Sequence, residues 1–315
     1  MIISASRRTD IPALYSDWFF NRIKEQYVYV RNPVNTHQIS NIDLSPEVVD
    51  CIVFWTKNAK PMIEKLKNLE KYKYYFQYTV TNYSKEIELK VPALDETVNT
   101  FRIIYNLIGK KRIIWRYDPI VLTYKFDLTW HRNNFEKLCE KLCQYTDKCV
   151  ISFVDYYKNS KSNLKGLECK EISTIEMQEI SFILNTIAAK YNLRLESCSE
   201  AVDLRNFGIN HGKCIDDKLI EEIIKYDVKI PKDNNQRSEC GCVASIDIGT
   251  YNTCTNGCLY CYANTNGKIA NFNYLSHDVN SPLLFGEIEI NDKISIRKCA
   301  ACKVFQNDLF FNKHI

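Results

Sequence analysis

Along the chain, short runs dense in β-branched and aromatic residues alternate with longer stretches whose apolar positions repeat at helical spacing. The first kind, Ile2–Ser6, Tyr27–Arg31, Cys51–Thr56, Tyr74–Val80, Arg112–Tyr117, Val150–Val154, Leu193–Ser197 and Val243–Ile248, reads as strands covered on at least one face. The clearest helical stretch follows Ser173, which has capping-box spacing with Glu176. Ile180, Ile183, Leu184, Ile187 and Ala188 then form one apolar stripe. Similar stripes fall within Tyr15–Gln26, Lys60–Lys71, Asp95–Leu107, Trp130–Tyr145 and Asp216–Tyr226. Strand–helix alternation with about eight strands predicts an α/β protein built as a TIM-type (β/α) barrel.

Polar residues cluster just where these strands end: Arg7, Arg8 and Asp10, then Lys57, Arg116 and Asp118, Asp155, and finally Cys198 and Glu200. The rim at the strand C-termini is where (β/α) barrels build their sites. Asp118, Asp155 and Glu200 are therefore candidate catalytic carboxylates, for acid–base work or for orienting an Arg or a substrate hydroxyl. The barrel is expected over 1–262, with 263–315 an Asn-rich, irregular extension covering it. No long apolar run suits a membrane span, and the first residues are too polar for a signal-peptide core, so the expected location is cytoplasmic with no membrane partner. A net charge of +4 is spread along the chain and does not by itself imply nucleic acid. Hydrolase-elbow, P-loop and dinucleotide glycine motifs are absent.

Fourteen cysteines change the picture. In a cytoplasmic chain of this length they suggest metal or redox chemistry rather than a disulfide framework. Cys254, Cys258 and Cys261 have C-x3-C-x2-C spacing in a short loop after the last strand, which can aim three thiolates at one iron–sulfur cubane. Three ligands leave one iron open for a further ligand. A zinc site would want a fourth Cys or His nearby, and His277 stands without a motif.

This loop, including Tyr260 before its last cysteine, resembles the radical S-adenosylmethionine superfamily. Cys258-Leu-Tyr-Cys-Tyr-Ala263 looks in particular like the branch containing spore photoproduct lyase. The resemblance implies a [4Fe-4S] cluster that binds S-adenosylmethionine and generates a 5′-deoxyadenosyl radical for hydrogen abstraction. It also implies anaerobic chemistry, and a reductant such as flavodoxin or ferredoxin. The substrate, small molecule or nucleic acid, is left open. In the superfamily the loop usually follows the first strand; here it follows the last, as in a circularly permuted barrel. The first strand would then adjoin the cluster, and Arg7, Arg8, Asp10, Tyr260 and Arg116 become candidate cofactor-binding residues.

Nearly the full length resembles the family catalogued as domain of unknown function 1848, through Ser6-Arg-Arg-Thr-Asp-Ile-Pro12, Arg31-Asn-Pro33, Phe54-Trp-Thr-Lys57, Trp115-Arg-Tyr-Asp-Pro119, Asp247-Ile-Gly249 and the cysteine loop. That resemblance imports no substrate. A second group of thiols, Cys198, Cys214, Cys240 and Cys242, can converge on the rim. There it would hold an auxiliary [4Fe-4S] cluster or zinc, or stay unligated. Cys299 and Cys302, a C-x2-C pair, could stand in for two of these. Cys51, Cys139, Cys143 and Cys149 read as core. The alternative function is a non-catalytic iron–sulfur protein for electron transfer or redox sensing; a zinc-dependent barrel hydrolase is a third reading.

Overall fold

The computed structural model describes residues 1–155, 163–169 and 171–303. Eight strands form one sheet: β1 (Ile2–Ala5), β4 (Cys51–Thr56), β5 (Tyr74–Thr79), β6 (Ile113–Ile120), β7 (Lys148–Phe153), β8 (Arg194–Ser197), β9 (Asn210–His211) and β10 (Ile246–Asp247). Their order is β10-β1-β4-β5-β6-β7-β8-β9, and every pairing is parallel. The fold is thus α/β on a large parallel sheet. Among the described residues β9 and β10 do not pair, so backbone ladders leave the sheet open at this seam.

Both faces of the sheet are buried, which explains the near-continuous apolar runs. Ile3, Ile52, Phe54, Phe76, Trp115 and Ile151 pack on one face in the main core. Their alternates Ile2, Val53, Tyr75, Ile114 and Val150 pack on the other face with Cys214, Ile215, Ile220, Cys242 and Val243. The inner face is therefore closed by the helix Asp217–Ile224 and by the chain segments around the second group of thiols. Those same segments bridge the seam. Val243 N donates to Ile215 O at 3.1 Å, so the approach to β10 runs against the chain leaving β9.

The first outer helices are α1 (Ile11–Leu14) and α2 (Ser16–Glu25), and α3 (Leu94–Ile108) and α4 (Leu128–Leu142) follow. The helix after Ser173, α5 (Thr174–Lys190), carries the full capping box. Three expectations need correction. Tyr27–Arg31 is a strand, β2, but it belongs to a separate sheet, antiparallel to β3 (Gln38–Asp43). Lys60–Leu69 winds as a 3-10 helix with a proline in its first turn, not as an α-helix. The extension is less irregular than its composition suggests. It contributes the helix Gly267–Leu275 and the strand β11 (Lys293–Ile296), which adds to β3 in parallel; residues 304–315 lie outside the described residues. Trp18 Nε1 and the Arg22 guanidinium bond to the carbonyls of Ser281 and Asn280, so the extension lies against α2. Arg31 grips Asp292 through two bonds of 2.8 Å and ties β2 to the turn before β11. No helix among the described residues is long and apolar enough to cross a membrane.

Candidate metal centre

Parallel pairing sets the C-terminal ends of β1, β4, β6, β7, β8 and β10 on the same edge of the sheet. The loop 250–264 leaves from the end of β10, beside the end of β1. Asp247, the last residue of β10, fastens the two. It accepts from Ser4 Oγ (2.9 Å), Ser6 Oγ (2.5 Å), Arg7 N (2.8 Å) and Gly249 N (3.0 Å). Gly249 is required by this closeness, because a Cβ there would sit 2.1 Å from Ser6 Oγ and 2.6 Å from Ser6 Cβ.

Asp10 fastens the loop from a second side. Its buried carboxylate caps α1 through Ala13 N (3.1 Å) and also accepts from Thr56 Oγ1 (2.7 Å) and Lys57 N (2.9 Å) at the end of β4. The fourth donor is Asn256 Nδ2 at 3.0 Å, from within the cysteine loop itself. With four donors already engaged, Asp10 is a positioning residue rather than the cofactor contact expected. A third clamp was not foreseen. Lys90 N bonds Asn256 O and Leu259 N bonds Ile87 O, each at 3.0 Å, so the segment 84–91 lies along the loop. From this segment Glu88 accepts from Lys57 Nζ (2.8 Å), Thr81 Oγ1 (2.6 Å) and the Tyr260 hydroxyl.

Cys254, Cys258 and Cys261 are all free thiols. Burial pushes the pKa of each up, and charge interactions couple Cys254 to both of the others. Lys57 offsets the rise at Cys258 and Cys261. Burial disfavours the Lys57 charge in turn, but Glu88 and then Cys258 outweigh it and hold its pKa above the ordinary value. The loop thus presents three partly buried thiols with the Lys57 ammonium beside it. Its backbone is held by Tyr15, whose hydroxyl donates to Thr253 O (2.6 Å), and by Asn264 Nδ2, which donates to Cys254 O (2.7 Å).

Among the described residues, only His37, Glu289 and Asp292 bring three ligating atoms within 4.8 Å of one another. At least one pair of the three loop sulfurs therefore lies beyond 4.8 Å, wider than the edge of about 3.8 Å that four sulfurs around one zinc define, and the same is true of any three thiols of the second group. A polynuclear cluster, with thiolates on separate irons, suits this spacing and the all-sulfur chemistry. Thiols that burial keeps protonated become good ligands once a metal displaces the proton.

The candidate cofactor-binding arginines differ. Arg7 Nη2 reaches Asp233 (3.4 Å) and Ser245 (3.3 Å), and its guanidinium lies 5.8 Å from the Trp55 ring. Arg8 touches Gly249 O at 3.5 Å and stacks 5.2 Å over Tyr251, so it borders the loop. Arg116 faces the other group of thiols. It donates to Cys214 Sγ at 2.6 Å, to Gln77 Oε1 at 3.4 Å and to Asp118, and its guanidinium lies 5.2 Å from the Trp55 ring, which Arg7 also approaches. Burial opposes its charge, but Asp118, Cys214 and Cys198 outweigh that and hold its pKa well above the ordinary value.

Of the candidate carboxylates, Asp118 is bound to Arg116 Nε at 2.9 Å and to Ser152 Oγ. Burial pushes its pKa up, yet Arg116, Ser152 and Lys57 prevail and leave it below the usual value. Glu200 is buried and accepts from Phe153 N at 2.8 Å; burial raises its pKa to about 7 despite that bond. Asp155 is exposed and pairs with Arg237 at 2.6 Å, and the charges of both reach Glu200.

The second group of thiols does converge. Cys198 and Cys214 sulfurs are 3.1 Å apart, Cys214 interacts with Cys242, and Cys242 with Cys240. His211 is not among them: its exposed ring meets Ser197 Oγ at 3.3 Å. Nor do Cys299 and Cys302 replace any of the four. Cys302 N bonds Asp50 ahead of β4, at the opposite end of the sheet. Cys51, Cys139 and Cys149 are fully buried in the core and Cys143 partly so.

The parallel sheet with a cysteine loop on its C-terminal edge defines an α/β protein with a thiol-lined candidate centre. By comparison of sequence, the chain belongs to the family described as Domain of unknown function (DUF1848), matched over residues 2–263. No match was found among curated proteins or among solved structures.

Proposed function

We propose that the protein is a radical S-adenosylmethionine enzyme, with Cys254, Cys258 and Cys261 holding three irons of a [4Fe-4S] cluster. The observation that carries this reading is the loop itself: three partly buried free thiols in C-x3-C-x2-C spacing, not gathered around one point, on the strand-end edge of a parallel sheet. In fold terms we read the sheet as a permuted (β/α) barrel split between β9 and β10, with β1 beside the cluster strand. When bound, the cluster and S-adenosylmethionine supply one-electron chemistry that abstracts hydrogen from a substrate.

The chain's own residues bind, orient and exclude water. Asp10, Asp247 and the 84–91 segment hold the loop against β1 and β4. Lys57 places a buried positive charge beside Cys258 and Cys261, which compensates the negative charge that thiolate ligation creates. Arg8, at the edge of the loop, is placed to pair with an anionic group of a ligand. Asp118, held ionised by Arg116 and Lys57, is suited to orient a substrate, while Glu200, whose pKa burial raises to about 7, is the carboxylate suited to hold a proton.

The test is anaerobic purification, reconstitution with iron and sulfide, reduction, and addition of S-adenosylmethionine. The expected products are 5′-deoxyadenosine and methionine, with a changed electron paramagnetic resonance signal on cofactor binding. A cluster that reduces normally but is indifferent to the cofactor would overturn the enzyme reading in favour of electron transfer.

A further inference from the structure

Four cysteines from three separate segments meet where the sheet fails to close. Cys198 follows β8, Cys214 follows β9, and Cys240 and Cys242 precede β10. The strand ladder stops at β9 on one side and β10 on the other, and these thiols line the gap. The convergence is not a by-product of apolar packing alone, because polar donors are aimed at the sulfurs. Arg116 Nη1 donates to Cys214 Sγ at 2.6 Å and Ile215 N to Cys242 Sγ at 3.3 Å. Tyr75 and Gln77 meanwhile fix the Cys214 carbonyl with bonds of 2.7 and 2.8 Å. Hydrogen bonds from backbone and guanidinium to sulfur favour the thiolate, the form that binds metal, although neighbouring thiols and burial still hold the pKa of Cys198, Cys214 and Cys242 up. None of the four is in a disulfide.

We propose that Cys198, Cys214, Cys240 and Cys242 form a second metal centre, independent of the loop, that staples the open seam of the sheet. Its ligand is a thiophilic metal taken by four thiolates, an iron–sulfur cluster or a zinc ion, which share this chemistry; because no three of these sulfurs lie within 4.8 Å of one another, binding rearranges their side chains. Binding releases the remaining thiol protons and leaves a net negative centre, which the buried Arg116 compensates. Arg7 contributes from the other side, since its charge interacts with Cys242. Complete ligation by protein distinguishes this centre from the loop, where three cysteines leave a position open. Its role is therefore to close and rigidify the mouth. Arg116 links it directly to Asp118.

The full chain carrying Cys254→Ser, Cys258→Ser and Cys261→Ser keeps only the second group, and should be reconstituted anaerobically with iron and sulfide or with zinc. The expected result is retention of about four irons with four sulfides, or about one zinc, per chain. Either complement should disappear when Cys214→Ser and Cys242→Ser are added. Retained iron with sulfide identifies a cluster and retained zinc a mononuclear site. In hydrogen exchange, the Ile215 and Val243 amides should lose protection with the metal. A folded loop variant, judged by circular dichroism, that holds no stoichiometric metal overturns the proposal. The unaltered protein gives an independent reading that needs no variant to fold. About eight irons, or about four irons plus zinc in an all-sulfur shell near 2.3 Å, supports the second centre. Four irons and no zinc sinks it while leaving the loop assignment standing.

Discussion

Replacing Asp10 by Ala removes one carboxylate from four donors: Ala13 N, Thr56 Oγ1, Lys57 N and Asn256 Nδ2. Loss of the cap on α1 costs about 1 kcal/mol. The Lys57 amide and the Asn256 side chain are left in a dry site, where each unmet donor costs about 1–3 kcal/mol. Thr56 is less affected, because its oxygen still accepts from Asn58 N at 2.9 Å. The sum, with partial relaxation, is about 3–5 kcal/mol of unfolding free energy. Asp10→Asn should recover only part of it, since its amide nitrogen must face a donor whichever way it is turned. Urea unfolding under anaerobic conditions gives the free energy, and iron counts on the same samples report the loop. Because Asn256 lies between Cys254 and Cys258, iron retention should fall with stability. An Asp10→Ala protein within about 1 kcal/mol of wild type, carrying full iron, would show that the carboxylate does not position the loop.

Gly249→Ala should also destabilise the loop, by about 1–3 kcal/mol, since the new methyl meets Ser6 at 2.1–2.6 Å. Adding Ser6→Gly should restore much of the loss in a double-mutant cycle; additive costs would refute the contact. His131 is fully buried between Tyr117 OH (2.7 Å) and Val121 O (3.0 Å), and burial lowers its pKa from 6.5 to about 4. The folded form resists protonation, so its stabilisation is present above the unfolded pKa and is lost as pH falls from about 6.5 toward 4. Between pH 7 and 5 this amounts to about 2 kcal/mol. His131→Gln should flatten that limb of a stability–pH profile, and identical slopes for the two proteins would refute the assignment.

Strand content was legible wherever both faces are buried. Cys51–Thr56 matches β4 and Tyr27–Arg31 matches β2 residue for residue, because apolar density marks a strand regardless of its partner. That same blindness to partners put β2 in the wrong sheet. Only its neighbour β3, whose Gln38–Asp43 sequence is too polar to stand out, reveals the antiparallel ribbon. β9 escaped notice because it is two residues long, and the helix Gly267–Leu275 because its Asn residues weaken any apolar stripe. The cysteine positions were legible as spacing, and so was the habit of polar residues at strand ends. Which of those residues face the loop was not. Glu88 sits in a connecting segment with no motif, and its role depends on a chain crossing that only tertiary structure supplies. Asp10 looked like a rim ligand group, but the requirement to satisfy buried donors claimed it for the scaffold.

The placement of the cysteine loop after β10 also sets a timetable. Asp247 bonds Ser4 across 243 positions of sequence, so the loop meets its partners only after every other strand of the sheet has been made. At ordinary translation speeds of about 5–20 residues per second, strands β1 to β8 wait several seconds before the loop is synthesised. A chain in this order presents a largely assembled mouth before the first loop thiol exists. On the proposed reading, metal loading would be a finishing step on a formed sheet, and thiols made this late spend little time exposed to oxidation before they are enclosed.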